Sequence, residues 1–163
     1  MLTDWSYRLV DEPDEINAAG FIDLFRIWEA RRGAADQAAL ADLDEPVLAD
    51  WSGRLFSVDV AQPVPHFKRI GANLVDLFGA DLSGRAIDQE SVGVGARRMA
   101  FMYAEVRSTG KVALASGLRV GPAVGVQVYS VIHLPLQEPK GKIRLVLGGL
   151  ILGTVVVAGG SGC

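Results

Sequence analysis

The last third of the chain restricts the possible folds most. Residues 111–120, 126–136 and 143–152 read as three consecutive strands, rich in Val, Leu and Ile. A Gly121-Pro122 signal follows the first, and Glu138-Pro139-Lys140-Gly141 separates the second from the third. Strands joined by so few residues pair antiparallel, because a parallel pair needs a crossover of a dozen residues or more. The chain is therefore expected to build an antiparallel sheet, and everything upstream has to cover it or extend it.

Upstream, the periodicity alternates between helix and strand. Phe21, Leu24, Phe25 and Trp28 recur at helical spacing within residues 21–32; Ile22 and Ile27 widen the stripe and Gly33 ends it. Pro46, after Asp44 and Glu45, suits the first turn of a second short helix. Residues 55–60 read as a strand stopped by Pro63 and Pro65, with 66–70 as its hairpin partner. Leu74, Leu77 and Phe78 mark a short helix that Gly79 closes, and residues 95–108 a longer one that Gly110 closes. The expected order is α-α-β-β-α-α-β-β-β.

Composition narrows the function classes. The 163 residues suffice for one domain with a self-sufficient core. The single cysteine, Cys163, excludes an intrachain disulfide and a cysteine-based metal site. Residues 1–50 hold twelve acids and four bases, whereas the remainder holds seven acids and twelve bases, so the halves carry −8 and +5. The bases are scattered without interleaved aromatics, which argues against nucleic-acid binding. Residues 145–158 form an uncharged run of 14, shorter than the roughly 20 a membrane span needs and interrupted by Gly148, Gly149 and Gly153. They are read as a buried last strand plus a flexible end. With no secretory-type leader in the first twenty residues, a cytoplasmic protein is expected.

Several motifs together carry a resemblance. A Trp-bearing helix ending in Arg31 and Arg32 comes first, followed by an Asp/Pro segment. Phe67-Lys68-Arg69-Ile70-Gly71 and Leu77-Phe78-Gly79-Ala80-Asp81-Leu82-Ser83-Gly84-Arg85 come next, and His133-Leu134-Pro135-Leu136 stands near the end. In this order the chain resembles the stand-alone, alphaproteobacterial-type PAS-like proteins over residues 20–152. The resemblance implies an α+β fold: a five-stranded antiparallel PAS-like sheet with helices on one face and an N-terminal helical extension. It divides the chain into a flexible acidic leader (1–19), the extension (20–54), a PAS-like core (55–153) and a flexible tail (154–163).

The same resemblance implies a non-catalytic sensor or adaptor in bacterial signalling, which binds a small molecule, a protein partner or both. The cofactor, if any, is unknown. Covalent c-type haem needs a Cys-x-x-Cys-His run that is missing, and Cys163 is misplaced for the cysteine of light-sensing flavin domains. Met99, Met102 and Tyr103 on the long helix, with Val126, Val128, Ile132 and Leu134 on one strand face, are expected to line an apolar pocket. Gln127, Tyr129, Val131 and His133 share the other face, which is expected to meet solvent or a partner. Phe21, Leu24, Phe25 and Trp28 must cover the chain's own sheet or pair with a second copy, so a homodimer is expected alongside a signalling partner. Gly93-Val94-Gly95 before the long helix lacks the Gly-Lys-Ser/Thr of a phosphate loop and is read as a flexible approach to that helix. The alternative is a small α+β cone-type, isomerase-like enzyme acting on an apolar molecule through Asp59 and Tyr103.

Overall fold

Alternation along the first ten residues already makes a strand: Trp5, Tyr7 and Leu9 are interleaved with Ser6 and Arg8. In the computed structural model, which describes residues 2–121 and 125–156, this segment is β1 (Leu2–Val10). The expected flexible leader is therefore corrected. β1 pairs antiparallel with β4 (Val112–Gly121), and its Trp5, Tyr7 and Leu9 pack into the core. Apart from Asp4 in β1, the acids that suggested a leader lie in the turn after β1 and in α1 (Pro13–Ala18), where Pro13 opens the helix and Asp14 and Glu15 suit its N-terminal end.

The sheet has six antiparallel strands in the order β1-β4-β5-β6-β2-β3, with β2 (Leu55–Asp59), β3 (His66–Ile70), β5 (Gly125–Gln137) and β6 (Ile143–Val156). Five of them form the expected sheet, and β1 adds a sixth on the free edge of β4. Of the expected tail, residues 154–163, the first three belong to β6 and 157–163 lie outside the described residues.

Two layers of helices cover the sheet on opposite faces. α2 (Ile22–Ala30) and two 3₁₀ helices, Gln37–Asp42 and Pro46–Trp51, lie on the outer face. There Phe21, Leu24, Phe25, Trp28, Leu48 and Trp51 bury against Leu114, Ile132, Leu134, Leu136 and Leu147. On the inner face, α3 (Ala72–Phe78), α4 (Gln89–Val92) and α5 (Ala96–Thr109) bury Leu74, Leu77, Met102, Tyr103 and Val106 against Phe56, Val58, Ala115, Tyr129 and Val131. Gln37 joins the outer layer to the sheet: buried, it donates Nε2–H to the Trp28 carbonyl at 3.1 Å and accepts from the Gln137 N–H at 2.8 Å.

Gly148 and Gly149 leave room for large side chains on the two faces of β6. A Cβ on Gly148 would overlap the Phe56 ring on the inner face, and one on Gly149 would overlap the Leu24 side chain of α2 on the outer. Gly149→Val is expected to force α2 off the sheet at a cost of about 1–3 kcal/mol. Urea denaturation checks this; an unchanged midpoint would mean that α2 does not rest on β6.

Candidate functional site

The inner layer does not fill its space completely. A cavity of about 30 Å³ remains between α3, α5 and the sheet. Its walls are Phe56, Phe67, Leu74, Leu77 and Phe78 on one side, Met99 and Tyr103 from α5, Tyr129, Val131 and His133 from β5, and Trp5 from β1. The aromatic rings pack edge to face: His133 lies 5.8 Å from Phe56 at 78° and 5.3 Å from Tyr103 at 85°. Among the described residues, no charged side chain lines this chamber.

Two polar groups in the chamber lack partners among the described residues. His133 is 3% exposed and neither ring nitrogen has a hydrogen bond; Tyr129 is 2% exposed and its Oη has none either. Burial lowers the His133 pKa to about 3, so the ring is neutral, with one N–H donor and one acceptor nitrogen. Burial also pushes the Tyr129 hydroxyl up to about 12 and raises that of Tyr103, so both stay protonated. An unpaired buried donor or acceptor costs roughly 1–3 kcal/mol, which makes these groups the natural anchors for anything polar that enters.

The structure exchanges the two faces of β5 relative to the sequence expectation. Ile132 and Leu134 are fully buried, but on the outer face under the N-terminal helices. On the same strand face, Val126 is half-buried and Val128 is 38% exposed. Tyr129, Val131 and His133, expected toward solvent or a partner, line the chamber instead. The physical reason is the extension: it folds back over the apolar face, so from Val131 to Leu136 neither face of β5 is left to water. Met102 and Tyr103 sit on the inner face, and Met99 lines the chamber.

Phe21, Leu24, Phe25 and Trp28, expected as a dimer or partner seam, are all less than 10% exposed within one chain. Their stripe packs against the chain's own sheet. The acid–base pair of the alternative enzyme is also separated. Tyr103 faces the chamber, whereas Asp59 pairs with Leu145 at the end of β2 and caps the Ala61 N–H at 2.9 Å. Asp59 alternates with the inward-facing Val58 and Val60, so its side chain belongs to the opposite face. His66 lies outside the chamber, half-buried, with Nδ1 2.8 Å from the Val64 carbonyl.

A six-stranded antiparallel sheet whose inner face and short helices enclose a hollow defines a sensor-type domain with a central chamber. The chain belongs to the PAS domain family, whose pattern matches residues 17–151. β1 precedes that match. Among solved structures, the PAS domain of Bordetella pertussis BvgS is similar at 15% identity and a TM-score of 0.56, covering 71% of this chain and 88% of that one. An RNA-binding light-oxygen-voltage receptor is similar at 14% identity and a TM-score of 0.51, covering 91% of this chain but only 38% of the receptor. No curated protein matches the sequence.

A flavin, weighed above from the sequence, can be tested against the chamber. A chamber of about 30 Å³ falls far short of the roughly 300 Å³ or more of cofactor sites, and the lone cysteine is Cys163 at the end of the chain. The residues present do not fit that group. Among the described residues, no cluster of three or more His, Cys, Asp or Glu side chains is arranged to hold a metal, and no helix is long and apolar enough to cross a membrane.

Proposed function

We propose that this chain is a non-catalytic PAS sensor of bacterial signalling, acting in the cytoplasm, with residues 55–153 as its sensing core. It takes a small, uncharged, largely apolar molecule into the chamber and passes the resulting change of shape to a protein partner. The observation that carries this reading is the pair of unpartnered polar groups, Tyr129 Oη and the His133 ring, inside an otherwise apolar and aromatic hollow. A ligand with one or two hydrogen-bonding atoms satisfies them, and Met99 and Phe78, both only partly buried at the chamber wall, are the side chains that make room. With the α2 stripe occupied in cis, a homodimer or a signalling partner has to use another surface.

Native mass spectrometry with an absorbance scan, on protein purified from its own host, tests this reading. The expected result is a retained neutral small molecule that Tyr129→Phe and His133→Phe release. Retention of the same molecule by both variants would place it elsewhere. A protein empty of ligand, with chamber methyl signals unmoved by a panel of neutral aromatic fragments, would reduce the function to protein interaction alone.

A further inference from the structure

Outside the chamber, a second hollow opens between β1 and the start of α5. It is a cleft of about 380 Å³ that shares Trp5, Met99 and Tyr129 with the chamber and adds Asp4, Val92, Arg97 and Arg98. The register of β1 against β4 breaks between Thr3 and Ser6, where Asp4 takes a φ of 50°, so Asp4 and Trp5 bulge opposite Gly117. Tyr129 pairs directly with Gly117, and its hydroxyl lies where a Cβ at Gly117 would stand. Tyr129 thus lies beneath the bulge and lines both the cleft and the chamber, its hydroxyl buried and unpartnered among the described residues.

The rim is positive. Arg97 and Arg98 occupy the first turn of the 14-residue helix α5, where the helix dipole adds to their charge. Arg98 donates to the Trp5 carbonyl at 2.8 Å, which ties α5 to the bulge. Among the described residues Arg97 has no ion-pair partner. Asp4 is the one acid in the lining, against two guanidinium groups. The remaining wall is the apolar surface of Trp5, Val92 and Met99.

We propose that this cleft binds a small carboxylic acid with a short apolar or aromatic body. Its carboxylate accepts from the Tyr129 hydroxyl and lies in the field of Arg97 and Arg98, while its body lies against Trp5, Val92 and Met99. The proposal goes beyond the sensor reading, because β1, which brings Asp4 and Trp5 to the cleft, lies outside the matched family region.

The test titrates the full chain with benzoate, with benzamide as its neutral isostere and with inorganic phosphate, followed by the amide signals of Gly95 and Gly117 and the Trp5 indole N–H. Benzoate is expected to saturate with Kd on the order of 1 mM or tighter. Benzamide should bind roughly tenfold more weakly, and Arg97→Ala and Tyr129→Phe should each weaken benzoate by about tenfold, the size of one lost charge-assisted hydrogen bond. Arg97 is exposed and Tyr129→Phe removes only an unpartnered hydroxyl, so both variants keep the fold, which the remaining amide signals verify. Equal binding of benzamide would overturn the charge recognition, and phosphate binding as tightly as benzoate would overturn the apolar body. Unmoved signals with all three would overturn the site. An empty chamber in native mass spectrometry, by contrast, bears only on the sensor reading.

Discussion

Trp28→Ala is expected to lower folding stability by about 3–5 kcal/mol, the range for removing a buried large aromatic. Trp28 is 3% exposed and tilted against Phe25 at 5.5 Å, with the Arg32 guanidinium 5.5 Å from its ring centre. Its Nε1–H donates to the Pro135 carbonyl at 2.7 Å, a bond that spans 107 residues and pins α2 to β5. Truncation opens a cavity and leaves that carbonyl unpaired beneath α2. Trp28→Phe keeps most of the ring and loses the bond, so a smaller loss of about 1–2 kcal/mol is expected. Urea denaturation measures both, with size-exclusion chromatography and light scattering alongside. The cis packing predicts a fall in the midpoint with no change of oligomeric state. A variant that dissociates while its stability holds would return the α2 stripe to a dimer interface.

The second large effect is expected at His133. Its folded-state pKa of about 3 lies below the unfolded value near 6.5, because burial disfavours the imidazolium. Between those values the unfolded chain binds the extra proton and the folded one does not. Stability from this group is therefore fully present above about pH 6.5 and declines as pH falls toward about 3, by roughly 1.4 kcal/mol per pH unit. His133→Phe removes the titration and both unpaired nitrogens, keeps a ring against Phe56 and Tyr103, and places its extra bulk in the adjoining cavity of about 30 Å³. The variant is expected to be more stable by about 1–3 kcal/mol at pH 7. Its margin over the wild type should widen by roughly a further 3 kcal/mol at pH 4.5. Parallel urea curves between pH 7 and pH 4.5 read this directly. If the two proteins lose stability in step, His133 has a hydrogen-bonding partner in solution, and the argument from its unpaired nitrogens fails.

Much of the architecture was legible from local signals. The short turns around Gly121-Pro122 and Glu138–Gly141 imposed antiparallel pairing, and Gly79 and Gly110 each take the left-handed conformation that closes a helix. The stripe of Phe21, Leu24, Phe25 and Trp28 marked α2 as a buried helix. β1 was also legible in the alternation of Trp5, Tyr7 and Leu9, but the five acids between Asp4 and Glu15 outweighed it in the reading of that segment. The chamber was less accessible. Phe56, Phe67 and Phe78 gave no local sign of converging with a strand some 50 or more residues later, and Trp5 meets Tyr129 only because β1 adds to the far edge of β4.

The sequence by itself determined the order of the main elements from α2 onward, the antiparallel sheet, the helical extension and which residues of β5 share a face, since periods of 2 and 3.6 are local properties of the backbone. Only the tertiary structure decided which layer each face of β5 meets. The reason is that both faces are buried: Ile132 and Leu134 lie under α2, while Tyr129 and His133 lie under α5. When water contacts neither side, hydrophobic alternation no longer tells inside from outside. The choice then falls to where the N-terminal extension packs, which puts the polar anchors in the chamber and the apolar stripe beneath the extension.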